Sequence, residues 1–595
     1  MSLLGKKGAA LAASVGTLAL VLAGCGASTG GSGNQSSNSA NGQNQTTGQK
    51  PVEGGSVTLD MIQNIRDLDP AFAYDSQSWE VVTQLYDQLV TWKGDTTQII
   101  PMAAKSYDVS KDGLTYTFHL RKGMKFWNGD PVTAQSFIDE FYRVLAPKMG
   151  SGGQGFYEII QGADKYAAGK SKTIPGLSAP DPYTLVIKLS KPEAFFLQTL
   201  TMPFASAVDK KFIESVGNHQ VYTKNPTFDS TQAMGSGPFE LQTINSNQIV
   251  LKKNPDYWRT DSYGQKLPYL DKITFNINNN DQVDSLHFEQ GQTAWIGWNF
   301  GGDGIPTSSY PQFMSNPNLK KLTVSAVQNS IQYLGLNTKL GPTKNKLVRQ
   351  AIEYAIDKQA IIKLNNGRGK VANQPLPPGV VGYDSNLSPQ AQYTYNPNKA
   401  KQLLQEGLQE LGLKELPVVT FVGSDSDTGK LWTQAITDAI TQVLGIKFKL
   451  VNVDFKTRLD MYRKSQFDMT LAGWGADYDD PETFMSLFDC PTGYTSSSPD
   501  LYKSDKVDWA FNDPHWCNDE YTNLDKSTQT TNDNTARMQA FAKMEQIIRD
   551  EIPIAPMFWP ARNYVEQPWV KGIVRRATGA DTEWKWAYTQ GRPNS

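Results

Sequence analysis

Ala472-Gly473-Trp474-Gly475-Ala476-Asp477-Tyr478-Asp479-Asp480-Pro481 is the stretch around which this chain is organised. Before it, Phe467-Asp468-Met469-Thr470-Leu471 alternates apolar and polar, the period of a half-buried strand. That alternation predicts Phe467, Met469 and Leu471 on one face, against a core. The strand then meets two glycines around a tryptophan and ends in acids before a proline, which cannot continue a ladder. With no Cβ, Gly473 and Gly475 let another backbone come close. Asp477 stands at the mouth of that approach, where a carboxylate can meet a cation. Read by itself, the same stretch is also an ordinary strand end followed by a turn with solvated acids.

The stretch resembles the Gly-Trp-x-Ala-Asp-Tyr segment of bacterial oligopeptide-binding lipoproteins, the family 5 extracellular solute-binding proteins that serve ATP-binding-cassette importers. The resemblance implies that the backbone around Gly473, Trp474, Gly475 and Ala476 pairs with a bound peptide as an added strand. It also implies that Asp477 receives the peptide's α-ammonium, with Tyr478 beside it. Three strings support it. Asp112-Gly113-Leu114-Thr115-Tyr116-Thr117-Phe118 runs on into Phe126-Trp127-Asn128-Gly129-Asp130-Pro131-Val132-Thr133-Ala134, a hairpin leading to a helix capped at Thr133. Gly235-Ser236-Gly237-Pro238-Phe239 and Asn254-Pro255-Asp256-Tyr257-Trp258 are further family matches, both turns without chemistry. By the same resemblance the strand before Asp67-Leu68-Asp69-Pro70, at Gln63, Asn64, Ile65 and Arg66, lines the peptide groove from the opposite side.

With 595 residues the chain is too long for one core. The family likeness implies an α/β, three-lobed periplasmic-binding-protein-like fold whose ligand-clamping lobes are joined by a hinge. Lobe I is expected from residues 52–89, 210–328 and 551–595, lobe II from 90–209, and lobe III from 329–550. In lobe III, apolar residues at helical spacing predict a helix over 347–364, and Asn396-Pro397 opens another through about 408. A strand at 418–422, a helix at 430–444 and a strand at 446–453 form a βαβ unit with parallel strands. The Asp477 segment follows it, near strand carboxyl ends, where such sheets hold ligands.

The N-terminus is an address, not part of the fold. Lys6 and Lys7 precede an apolar run over 9–23, too short for an ordinary membrane span. The run ends in Leu22-Ala23-Gly24-Cys25, which resembles a lipobox, so residues 1–25 are expected to be a lipoprotein signal with Cys25 as the lipidated residue. Two acyl chains give a stable anchor where one does not. Residues 26–51 are mostly Gly, Ser, Asn, Gln and Thr and cannot bury enough apolar area to order themselves, so they are expected to be a flexible tether.

A net charge of −2 offers no concentrated basic face for nucleic acid. His119, His219, His287 and His515 form no pair at metal-ligand spacing, and no Walker sequence is present, so neither cofactor nor metal is expected and the ATPases are expected to be separate chains. Cys490 and Cys517 are the cysteines left after processing. In an exported chain such a pair is expected as a disulfide, the alternative being two buried thiols. The function expected is capture of short peptides by a lipid-anchored monomer on the extracytoplasmic face of the membrane, for delivery to permease subunits. The same fold holding an oligosaccharide, a haem or a metal chelate is the alternative. An exported glycosidase using Asp477, Asp479, Asp480 or Glu482 is a third reading. It requires two carboxyls facing one bond, which adjacent loop acids seldom provide.

Overall fold

The computed structural model describes residues 50–592, apart from 62, 63, 279, 298–303, 327, 328, 390, 391, 503–506, 508, 510, 532, 577, 580 and 581; at 229, 281, 325 and 326 only the backbone is described. The lipobox, nearly all of the tether, and Gln63 therefore lie outside the described residues.

The principal sheets divide the chain. Ser56–Met61, Lys272–Ile277, Gln248–Lys253 and Phe239–Ile244 lie side by side in that order, the first pair parallel. Trp295–Ile296, Arg562–Glu566 and Thr323–Ala326 make a three-stranded antiparallel sheet. Ala104–Val109, Thr115–Leu120, Thr184–Lys188 and Leu177–Asp181 make a separate antiparallel sheet, beside which the Thr133-capped helix Ala134–Val144 buries Phe137, Ile138 and Phe141. The third group is a six-stranded sheet in the order Lys370–Val371, Ile554–Trp559, Ser330–Leu336, Met469–Gly475, Val419–Ser424, Phe448–Val453.

In that last sheet Val419–Ser424 and Phe448–Val453 pair in parallel, with helix Asp427–Leu444 between them in sequence. Gly445 ends the helix at φ +71°, a conformation that costs a residue without Cβ nothing. Two expectations change. The helical stripe over 347–364 is two helices, Lys346–Tyr354 and Lys358–Leu364. The Asp357 carboxylate accepts from the N–H groups of Gln359 and Ala360 and so starts the second helix afresh. The chain also leaves the six-stranded sheet later than the boundary expected at 551, because Ile554–Trp559 pairs with Ser330–Leu336 inside it.

The strand Met469–Gly475 is not half-buried along its length. Met469, Thr470, Leu471 and Ala472 are all buried, since a strand inside a covered sheet has no solvent face. Met469 and Leu471 enter one core cluster with Trp432 and Phe558, while Phe467, before the strand, packs with Tyr462 and Val422. Burial ends at Gly473, where the site begins.

Candidate functional site

The site is built on one strand that loses a neighbour partway along. Met469–Gly475 pairs with Ser330–Leu336 over its whole length, Gly475 opposite Ser330 and Gly473 opposite Gln332. On the other edge Val419–Ser424 pairs only with Met469 and Thr470. From Leu471 to Gly475 no described strand occupies that edge, so a row of backbone donors and acceptors is left open.

Alternation decides which groups face outward. The Ala476 N–H bonds to the carbonyl of Asn329 at 2.8 Å, which makes 476 and 329 a hydrogen-bonded pair. Successive residues of an antiparallel ladder turn their N–H and C=O to opposite sides. Trp474 therefore turns its groups toward the partner strand, and Gly473 and Gly475 turn theirs toward the open edge. Both glycines are exposed. A Cβ at Gly473 would lie 2.4 Å from the Gln332 side-chain amide, which would have to move aside to admit it.

Asp477 ends the strand's approach. Its backbone N–H reaches the Thr483 hydroxyl at 3.2 Å. Its carboxylate Oδ2 accepts from the Tyr74 hydroxyl at 2.6 Å. The residue is only 8% exposed. Among the described residues no Lys, Arg or His pairs with it, and Oδ1 accepts no hydrogen bond. Burial pushes its ionisation up to about 7, with the Tyr74 hydrogen bond pulling the other way. The rings of Tyr74, Trp474 and Phe511 stand in mutual contact beside it, Tyr74 to Phe511 at 4.7 Å and Trp474 to Phe511 at 5.4 Å. The Trp474 indole N–H is buried with no hydrogen-bond partner among the described residues. A carboxylate taken out of water with no cation beside it is costly, and a cationic ligand group removes that cost.

The neighbouring acids are differently placed. Asp480 pairs with Arg537 at 2.8 Å, and Glu482 is held by the Tyr478 hydroxyl. The small cavity of about 30 Å³ walled by Trp79, Trp92, Arg576, Glu583 and Lys585 holds charges that pair with one another. Asp480 and the charges of that cavity have charged partners; Asp477 and Glu482 have none among the described residues, and of these two it is Asp477 that ends the open strand edge.

Of the residues expected to bind, Gly473, Trp474, Gly475 and Asp477 come together here. Ala476 and Tyr478 do not share that exposure. The Ala476 N–H is spent on Asn329 and its carbonyl on Gly579, at 2.8 Å each. Tyr478 is wholly buried, stacked on Phe195 at 5.4 Å, with its hydroxyl committed to Glu482. Both serve the core because the strand's alternation turns them inward. Of the residues expected on the opposite side, Asn64 is exposed and Ile65 half-buried, while the Arg66 guanidinium lies over the Phe72 ring at 4.8 Å and feels the charges of Arg463 and Asp460. Sequence reasoning missed Tyr74, Phe511 and Thr483. Tyr74 precedes the capping Asp75 of helix Ser76–Leu85, and no sequence pattern marks it as a site residue.

Cys490 and Cys517 are joined as a disulfide. Among the described residues the histidines are scattered: His287 on Asp60, His119 on Asp108, and His515 against Trp509 and Ser465, where burial lowers its ionisation to about 3.

A multi-sheet α/β chain with an open strand edge ending in a buried carboxylate without a cation has the backbone groups and the charge that an extended ligand with a cationic end would require. The chain belongs to the bacterial extracellular solute-binding proteins, family 5, whose sequence pattern ("family 5 Middle") matches residues 98–496. It is 28% identical over 569 residues to the oligopeptide-binding protein OppA of Bacillus subtilis (strain 168), covering 94% of this chain and 95% of that one. It is similar in structure to Listeria monocytogenes OppA bound to peptide, with TM-score 0.76 and 25% identity over 91% of this chain and 99% of that one. The Helicobacter pylori periplasmic binding protein DppA in complex with the peptide STSA is a further likeness, with TM-score 0.74 and 26% identity over 90% of this chain and 98% of that one.

Proposed function

We propose that this chain is the peptide-capturing subunit of an ATP-binding-cassette importer. A short peptide lies along the open edge as an added strand. The N–H and C=O groups of Gly473 and Gly475 bond its backbone, and Asp477 takes its amino-terminal ammonium. Main-chain pairing is blind to side chains, since every peptide offers the same donors and acceptors. The charged end sets the register. The cleft separates the part of the chain carrying Asn64–Arg66 and Tyr74 from the six-stranded sheet, and closure of these lobes about a hinge encloses the peptide. A diacylglycerol on Cys25 and the tether after it hold the protein at the outer face of the membrane as a monomer, beside permease subunits whose ATPases are other chains.

The observation that carries this reading is the buried Asp477 carboxylate with no cation among the described residues, at the end of an unpaired glycine edge. Calorimetry with one short peptide tests it, using free and N-acetylated forms against wild type and Asp477→Asn. Removing one partner of a buried ion pair weakens binding roughly a hundredfold to a few thousandfold. Acetylation should cost wild type about that much and the Asn variant far less. Equal binding of free and acetylated peptide by wild type would refute the role of Asp477.

A further inference from the structure

Tyr74 is held from several sides. Its ring stacks on Trp79 at 5.6 Å and meets Phe204 at 5.3 Å, Phe156 at 6.1 Å, Trp474 at 6.1 Å and Phe511 at 4.7 Å. Gly152 is without a side chain where a Cβ would stand 2.5 Å from that ring. The ring is packed by these neighbours with its hydroxyl 2.6 Å from Asp477 Oδ2. Burial and the neighbouring Asp477 push the phenol's own ionisation well above its ordinary value, so the hydroxyl can only donate. It is the one hydrogen bond to this carboxylate among the described residues.

We propose that Tyr74 is the positioning residue for ammonium capture. By holding Oδ2 it keeps the Asp477 carboxylate ionised against its burial and turned so that Oδ1 meets the primary ammonium of a peptide's amino end. Its ring, with those of Trp474 and Phe511, walls that end, where aromatic faces favour a cation. The inference rests on the peptide-binding reading above and adds a residue from the opposite side of the cleft. The other titratable groups nearby do not supply this hydrogen bond. Glu482 is engaged by Tyr478, Asp480 by Arg537, and the Tyr157 hydroxyl donates to the Thr199 carbonyl.

Tyr74→Phe keeps the ring and deletes only the donor. Trialanine and N-acetyl-trialanine are titrated by calorimetry into wild type, Y74F, D477N and the double variant, from pH 6 to pH 8.5. Losing the donor makes the carboxyl easier to protonate, so Y74F should bind trialanine roughly tenfold or more weakly at pH 6. The deficit should shrink toward pH 8.5, where Asp477 ionises in both proteins. A packing defect would give the same deficit at every pH. N-acetyl-trialanine should be bound alike by wild type and Y74F, and Y74F should add nothing to D477N. In the ligand-free protein the Asp477 side-chain carboxyl carbon, followed by carbon-13 resonance, should titrate at higher pH in Y74F. A pH-independent deficit, an unchanged Asp477 titration or additive variants would overturn the inference while leaving the peptide reading standing. Failure of wild type to bind trialanine at any pH would overturn both.

Discussion

Replacing Asp477 by Asn should make the ligand-free protein more stable than wild type above neutral pH and less stable in acid. Burial moves this carboxyl's ionisation from 3.8 in an unstructured chain to about 7 in the folded one. The folded state therefore holds the proton more tightly than the unfolded state does. Its contribution is most favourable in acid and is lost as pH rises from the unfolded value through the folded one. Above pH 7 the folded, ionised form carries a cost of about 4 kcal/mol relative to the protonated form. Asparagine removes that cost. It retains an acceptor for Tyr74 but leaves an amide N–H₂ in a buried place, at about 1–3 kcal/mol. The variant should thus gain roughly 1–3 kcal/mol at pH 8 and lose about as much at pH 4.

The informative quantity is the change in the mutant-minus-wild-type difference between those two pH values, about 3–4 kcal/mol, because other carboxyls titrate alike in both proteins. Urea unfolding followed by tryptophan fluorescence measures it, on protein stripped of ligand by unfolding, dialysis and refolding. The stripping matters because bound peptide stabilises the folded state by mass action. A difference that stays constant between pH 4 and pH 8 would show that the Asp477 ionisation is not perturbed by burial.

Cys25→Ala should leave folding and peptide affinity intact and release the protein to the medium; retention in the membrane fraction of whole cells would refute the lipid anchor. Reduction of the Cys490–Cys517 bond, which spans 27 residues of sequence, should lower stability by about 3 kcal/mol. The same reduction should scarcely alter peptide affinity, because neither cysteine touches Asp477 or the glycine edge; a large fall in affinity would tie that loop to the groove.

Much of the architecture was legible because it rests on local rules. The βαβ unit ending at Phe448–Val453, the Asn396 cap before Pro397–Leu411 and the Thr133 cap before Ala134–Val144 each follow from residues within one turn of the element. The break between Lys346–Tyr354 and Lys358–Leu364 was less legible, since Asp357 caps a helix inside a stripe whose apolar period continues past it. Nor was the placement of Ile554–Trp559, because an apolar run with two prolines does not say which sheet it joins. In the site, Asp477 and its glycines were readable as a string. Tyr74 was not, because 403 residues separate it from Asp477 and only the folded chain brings them together.

The Asp477 segment divides its open edge and its packing between alternate residues. Gly473 and Gly475 turn their peptide groups to the open edge, and Asp477 sends its carboxylate to Tyr74. Between them Trp474 bonds back to the sheet, Ala476 spends both backbone groups on Asn329 and Gly579, and Tyr478 goes wholly into the core. The period of two that made the strand recognisable thus continues past its last ladder pair, into the acidic turn. That continuity explains how a charge can be kept buried without a partner. Tyr478 and Ala476 anchor the backbone on either side of Asp477, and the Tyr74 hydroxyl holds the carboxylate itself. The price of that rigidity is a destabilised carboxylate in the empty protein. On the proposed reading its return is a charge already oriented and desolvated, so that an arriving ammonium would gain attraction without having to strip water from its partner.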